Sequence, residues 1–187
     1  MYILTRSGRQ FSFTNPHPDM VDVEDVAHAL SNINRFTGHT AYAYSVAQHC
    51  VAVSRYLELT GQPVLVQYAG LMHDAHEAYF GDISAPLKAF LGVGPLEDRI
   101  QDVVARAFGL TVSQLHDRRV KLADLTALAV EADHLMPKDI VEWDCLGPVT
   151  ADMKAVMPPP SERSASLSAR IFLDRFILLQ EQLQQPH

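Results

Sequence analysis

The sequence predicts an all-α fold with a small N-terminal β-hairpin, and three observations carry that expectation. Apolar residues recur at helical spacing through most of the chain, capping residues open those segments while Gly or Pro closes them, and strand-like alternation is confined to the N-terminus. At 187 residues, 48% hydrophobic and 20% charged, the chain has the balance of one globular domain able to bury a sizeable core. No internal repeat and no long linker divides it, so a single domain over residues 1–187 is expected, with its core over 22–136.

The elements follow in order. Tyr2 to Thr5 and Gln10 to Phe13 flank a Ser7-Gly8 turn, which predicts the hairpin. Asp22 is a fitting N-cap for a helix that carries Val23, Val26, Ala27 and Leu30 and ends near Asn34. Ser45-Val46-Ala47-Gln48 has the form of a capping box, opening a helix that Gly61 and Pro63 close, with Val46, Cys50, Val53 and Leu57 as its apolar stripe. A third helix is predicted from Val64 to Phe80, with Gly81 past its end and Leu65, Tyr68, Ala69 and Met72 facing the core. Further helices fit Pro86 to Leu91, Leu96 to Phe108 and Asp117 to Met136, with Gly109 and Pro137 stopping the last two. Met157 to Pro160 is too rich in proline for helix, and a C-terminal helix is expected over 164–183.

A net charge of −7 argues against general affinity for a nucleic-acid backbone, but leaves open a small anion held by a few local cations. Cys50 and Cys145 are too few for a disulfide framework. With no signal peptide at the start and no apolar run of about 18 residues, a soluble, cytoplasmic protein without a membrane partner is expected.

Chemistry-bearing residues gather on three of the helices. His73 and Asp74 stand in the apolar run Ala69-Gly70-Leu71-Met72-His73-Asp74-Ala75, and polar atoms on a core-facing helix need partners. His49 points inward beside Val46 and Val53, and Asp124 shares a face with Val120, Ala127 and Leu128. A bare carboxylate there is costly unless it is paired or metal-bound. Two imidazoles and two carboxylates make a mixed nitrogen and oxygen site, suited to one divalent transition metal (zinc, manganese, cobalt or ferrous iron) and not to calcium. His116-Asp117 lacks apolar flanks and Asp133 faces away from Asp124, so both read as surface. Glu131 is on nearly the same face as Asp124 but about 10 Å along the axis, too far to share a coordination shell; it receives no role, with a supporting partner and a surface carboxylate both open.

In order and on helices, His49, His73-Asp74 and Asp124 resemble the motif of the HD superfamily of metal-dependent phosphohydrolases. From Arg35 to Lys88 the chain looks like the bacterial 5′-deoxynucleotidases of that superfamily and their phage relatives that hydrolyse deoxynucleoside triphosphates. Ser45-Val46-Ala47-Gln48-His49 carries part of the likeness. The stretch from His73-Asp74 through Glu77 and Gly81-Asp82 to Pro86-Leu87-Lys88 carries the rest, similar to the family's HD-x-x-E followed by Gly-Asp and Pro-x-Lys. Clear similarity runs from Val26 to Glu131.

The resemblance implies an HD-domain helical bundle and metal-assisted hydrolysis of deoxynucleotide phosphate esters. A 5′-deoxynucleotidase is the first expectation, a deoxynucleoside triphosphate triphosphohydrolase the alternative, and a non-catalytic nucleotide-binding regulator the third reading. Glu77, about one helical turn beyond His73, becomes the proton-transfer residue, and Asp82 matches the family's second acidic position. Arg35 and Lys88 match basic positions that hold phosphate oxygens. Phe36 stands where many relatives carry Trp, as a ring to stack on base or sugar. HD proteins with two metals recruit further histidines, and only His76 and His116 are available here, so one metal is expected. A homo-oligomer, dimer or larger, is expected as well.

Overall fold

The computed structural model describes residues 1–137, 149–157 and 159–185; Cys145 lies outside them. Strands β1 (Tyr2–Leu4) and β2 (Gln10–Ser12) pair antiparallel, with Ile3 opposite Phe11. Phe11 is fully buried and stacks on Tyr79 at 4.0 Å between ring centroids. Ser7, in the turn, donates its N–H and Oγ–H to the Asp25 carboxylate at 2.8 and 2.6 Å. That ties the hairpin to α1 (Val23–Asn32), whose N-cap Asp22 accepts the Glu24 N–H.

The loop after α1 is closed by Arg35 N–H to Tyr44 O (2.9 Å) and Val46 N–H to Ile33 O (3.0 Å), which sets the entry to α2 (Val46–Leu59). The capping box forms as the sequence predicts: Ser45 Oγ accepts the Gln48 N–H and Gln48 Oε1 accepts the Ser45 N–H. α3 (Val64–Met72) packs closely on α2. A Cβ added at Gly70 would lie 2.4 Å from Leu57 Cδ1, so glycine there allows the approach that brings the two helices' histidines together.

Two expectations need correction here. The third helix does not run unbroken to Phe80: α3 stops at Met72 and α4 (Glu77–Phe80) begins after a turn over 73–76. The turn is tightened by three-residue bonds, Ala75 N–H to Met72 O (3.0 Å) and Glu77 N–H to Asp74 O (2.9 Å). His73 Nδ1 donates to the Gly70 carbonyl, competing with the main-chain ladder where a continued helix would place the Asp74 N–H. Leu65 is 40% exposed rather than core-facing, because the buried face of α3 begins at Val66.

After α5 (Ala85–Leu91), which buries no residue, come α6 (Gly94–Ala107), α7 (Val112–Leu115), α8 (Arg118–Leu135), α9 (Ala151–Val156) and α10 (Ala165–Gln184). The sequence reading omitted α7 and α9. α2 is central, packed by α1, α3, α8 and α10, and α10 also covers α1 and α3. Buried Arg175 of α10 bridges to Ser54, Glu58 and Gln67 on α2 and α3. Asp133 pairs with Lys154 at 2.7 Å, away from Asp124 as read. The architecture is an all-α bundle with one small hairpin, and among the described residues no helix is long and apolar enough to cross a membrane.

Candidate metal centre

His49 is fully buried, and each of its ring nitrogens has a distinct task. Its Nδ1 meets Glu131 Oε1 at 2.8 Å, and His73 Nδ1 meets Gly70 O at 2.8 Å. A carbonyl or an ionised carboxylate can only accept, so both Nδ1 atoms carry hydrogen and, in the neutral rings, both Nε2 atoms present bare lone pairs. Those atoms face one another at 3.3 Å.

Two carboxylates complete the cluster. His49 Nε2 lies 3.6 Å from Asp74 Oδ2 and 3.2 Å from Asp124 Oδ1, and His73 Nε2 lies 3.1 and 3.9 Å from the same two atoms. Donors bound at about 2.0–2.2 Å to one ion stand roughly 3.0–3.6 Å apart; the His49–His73, His49–Asp74, His49–Asp124 and His73–Asp74 spacings fall in that range, and His73–Asp124 at 3.9 Å is wider. The electrostatics agree. Burial opposes a charge on His73, but Asp74 outweighs it and its pKa lies well above the ordinary value. Burial would likewise raise the Asp74 carboxyl, yet His73 and then His49 hold it well below the usual range. Asp124 is also depressed, by His49 and His73 against the effect of burial. The centre of the cluster stabilises positive charge, as a metal site must.

His49, His73 and Asp124 form a group that could hold a metal, and Cys50, His73 and Asp74 form a second, overlapping one. Burial pushes the Cys50 thiol up to about 11, which leaves it protonated and a poor ligand. The histidine and carboxylate set therefore fits a cation better.

Glu131 is a residue of the cluster that the sequence left without a role, and a surface position is excluded by its 2% exposure. Its Oε1 accepts from His49 Nδ1 and from Tyr44 Oη (3.1 Å), and its Oε2 accepts from Arg35 Nε (2.9 Å). Burial would raise this carboxyl, but Arg35, His49 and Tyr44 outweigh it and hold it at about 2. The available signal was its position two helical turns from Asp124 on one face.

Arg35 is itself buried. Its Nη1 stands 4.0 Å from Asp74 Oδ2 while Nε serves Glu131, so this cation is committed to the cluster's carboxylates. The next residues, Phe36 and Thr37, have φ of 55° and 54°, a left-handed conformation that costs non-glycine residues about 1–3 kcal/mol each. The Phe36 ring lies 5.5 Å from Arg35 Cζ.

Glu77 reaches the site by a route other than the one predicted, since the break at 73–76 removes the continuous helical turn. It is 4% exposed, and its Oε2 is buried with no hydrogen-bond partner among the described residues. Burial first, then Asp74 and Asp82, raise its pKa well above that of an ordinary glutamate. The Asp82 carboxyl is also raised, mainly by burial and also by Asp74, with Arg35 opposing. Lys88 Nζ is 3.9 Å from Glu77 Oε1 and makes a close ion pair with Glu97. Glu97 also meets His76 Nε2 at 3.1 Å; that contact, with Lys88, holds its carboxyl at about 2. His76 is thus engaged by Glu97 and stands in neither ligand group.

His116 is exposed, as the sequence predicts. With Gln101 and Lys121 it borders a cavity of about 210 Å³ that is lined also by His73, Asp74 and Asp124. Asp117 does behave as read, capping α8 and pairing with Arg119 at 2.7 Å.

No family model matches the chain. It is 36% identical over 182 residues to the uncharacterized protein YfdR of Escherichia coli, covering 96% of each chain. An uncharacterized protein of Rhodobacter capsulatus is 33% identical over 177 residues, covering 88% of this chain and 90% of that protein. With such identity over almost its whole length, the chain belongs to the protein family represented by YfdR of Escherichia coli.

Proposed function

We propose that the chain is a metal-dependent phosphohydrolase of the HD superfamily that removes phosphate from deoxynucleoside 5′-monophosphates. The observation that supports it most is the convergence of His49 Nε2, His73 Nε2, Asp74 Oδ2 and Asp124 Oδ1, with both Nδ1 hydrogens engaged elsewhere. A divalent transition ion at those atoms would act as a Lewis acid, activating water and neutralising phosphoryl charge.

The residues around it have definable tasks. Glu77 delivers a proton to the leaving oxygen, the role that its raised pKa and its unpartnered, buried Oε2 suit. Asp82 helps keep that proton in place by its negative charge. Arg35 turns its Nη1 toward Asp74 and supplies positive charge beside the phosphate. Lys88 exchanges Glu77 and Glu97 for phosphate oxygens, and the Phe36 ring packs on base or sugar. This reading includes a nucleotide substrate and self-association into a dimer or larger.

Release of tripolyphosphate from a deoxynucleoside triphosphate is the second reading. It is favoured by His116 and Lys121, which border the cavity beside the ligands where a longer phosphate chain can extend. Turnover of a panel of deoxynucleoside mono- and triphosphates with manganese, cobalt or zinc separates the cases. Orthophosphate plus nucleoside supports the nucleotidase, and tripolyphosphate plus nucleoside supports the alternative. Stoichiometric metal with no turnover of any substrate refutes hydrolysis and leaves a nucleotide-binding regulator.

A further inference from the structure

Apart from the candidate metal cluster, α2 and the segment entering α10 border an open cavity of about 240 Å³ that none of the candidate ligands lines. Arg55 of α2 and Arg163, just before α10, both border it together with Tyr44 and Gln48. Arg163 and Gln48 also border an adjoining cavity of about 210 Å³, which extends to Ala165 at the first turn of α10.

Both arginines are exposed. Neither makes an ion pair or side-chain hydrogen bond among the described residues, although the chain carries a net charge of −7. The buried arginines do find carboxylates: Arg35 takes Glu131 and Arg175 takes Glu58. Glu58, one turn from Arg55 on α2, is therefore engaged by Arg175. Ser164 Oγ caps the Leu167 N–H, which leaves the first N–H groups of α10 without helical acceptors and adds positive potential on the same side. Two guanidinium groups bordering one cavity offer an anion with several acceptor oxygens more than one charged contact. Phosphate suits their planar fork better than chloride or a single carboxylate.

We propose that this cavity is a binding site for a small phosphate-bearing anion, with Arg55 and Arg163 as its cationic contacts. The site is independent of the hydrolase reading, since it shares no residue with the ligand set. Tyr44 connects the two places: it borders the cavity, and its hydroxyl donates to Glu131.

Calorimetric titration of the full chain with pyrophosphate tests the assignment. Saturable binding is expected, weakened about ten-fold or more in Arg55→Gln and in Arg163→Gln. Arg163→Lys, which keeps the charge and loses the fork, should fall between. Lys88→Gln, at the candidate reaction site, should leave this binding event unchanged. Arg variants that overlay the wild-type isotherm overturn the proposal. So does binding only at tens of millimolar that chloride or acetate reproduces. A second arm sediments the protein with phosphatidylglycerol vesicles. Protein remaining in the supernatant supports a free anion, whereas pelleting that Arg55→Gln abolishes overturns that assignment in favour of a lipid headgroup.

Discussion

Replacing Glu131 by Gln should weaken metal binding about 10- to 100-fold while leaving all four candidate ligands untouched, the usual scale for losing a group that orients a ligand. Three donors end on this carboxylate: His49 Nδ1 at 2.8 Å, Arg35 Nε at 2.9 Å and Tyr44 Oη at 3.1 Å. In Gln, one oxygen can still accept from His49 or Tyr44, but the amide nitrogen must face a donor. The buried Arg35 then has no counter-charge at that contact. Breaking such a pair costs about 3–5 kcal/mol, a large part of the roughly 5–15 kcal/mol that stabilises a domain. Glu131→Ala, with all three donors orphaned, should therefore accumulate poorly. The measurements are a competition titration with a chromogenic chelator and a thermal melt in EDTA. Asp133→Asn, on the same helix with its partner Lys154 at the surface, should match wild type in metal affinity. If Glu131→Gln binds metal as tightly as wild type and melts at the same temperature, the orienting role assigned to Glu131 is wrong.

Asp74→Ala should remove the metal by elemental analysis and keep the helical circular dichroism signal. Asp117→Ala should lose about 1 kcal/mol of stability through the α8 cap at unchanged metal content. Glu77→Gln should retain metal and lose about 10²- to 10⁴-fold in turnover, and wild-type turnover with metal bound would exclude it as the proton-transfer group. The Glu97 carboxyl is depressed from 4.5 to about 2 by His76 and Lys88. It thus contributes stability that is fully present above pH 4.5 and is lost as pH falls through about 2. Glu97→Gln should accordingly flatten the acid limb of the melting-temperature profile, and a limb of unchanged slope would dissociate this carboxyl from it.

The bundle was legible where local chemistry and periodicity agree. Asp22, Ser45 with Gln48, Asp117 and Ser164 each cap the helix that the pattern places after them. The α7 signal was also present, because Thr111 and Gln114 form the same reciprocal capping box as Ser45 and Gln48, but a four-residue helix has almost no apolar period to support it. The break after Met72 was not legible. It depends on the His73 ring reaching the Gly70 carbonyl, a choice between side-chain and main-chain donors that hydrophobic spacing does not encode.

The same distinction separates the ligands from the groups that support them. A buried His or Asp on an apolar face is conspicuous because desolvating it is costly, so His49, His73, Asp74 and Asp124 could be selected one helix at a time. Glu131 and Arg35 cannot be selected that way. Each is inexpensive only because the other is present, and they meet across 96 residues of chain through the register of α8 against the loop before α2. Glu97, His76 and Lys88 likewise make sense only as a trio from three separate elements. On the proposed reading, affinity for a cation is therefore a property of the assembled α2, α3 and α8, since no single helix or its adjoining turn holds more than two of the four candidate ligand atoms. Metal should accordingly bind the native state and not the unfolded chain, and a cation that fits should raise the melting temperature in proportion to the logarithm of its concentration once above Kd.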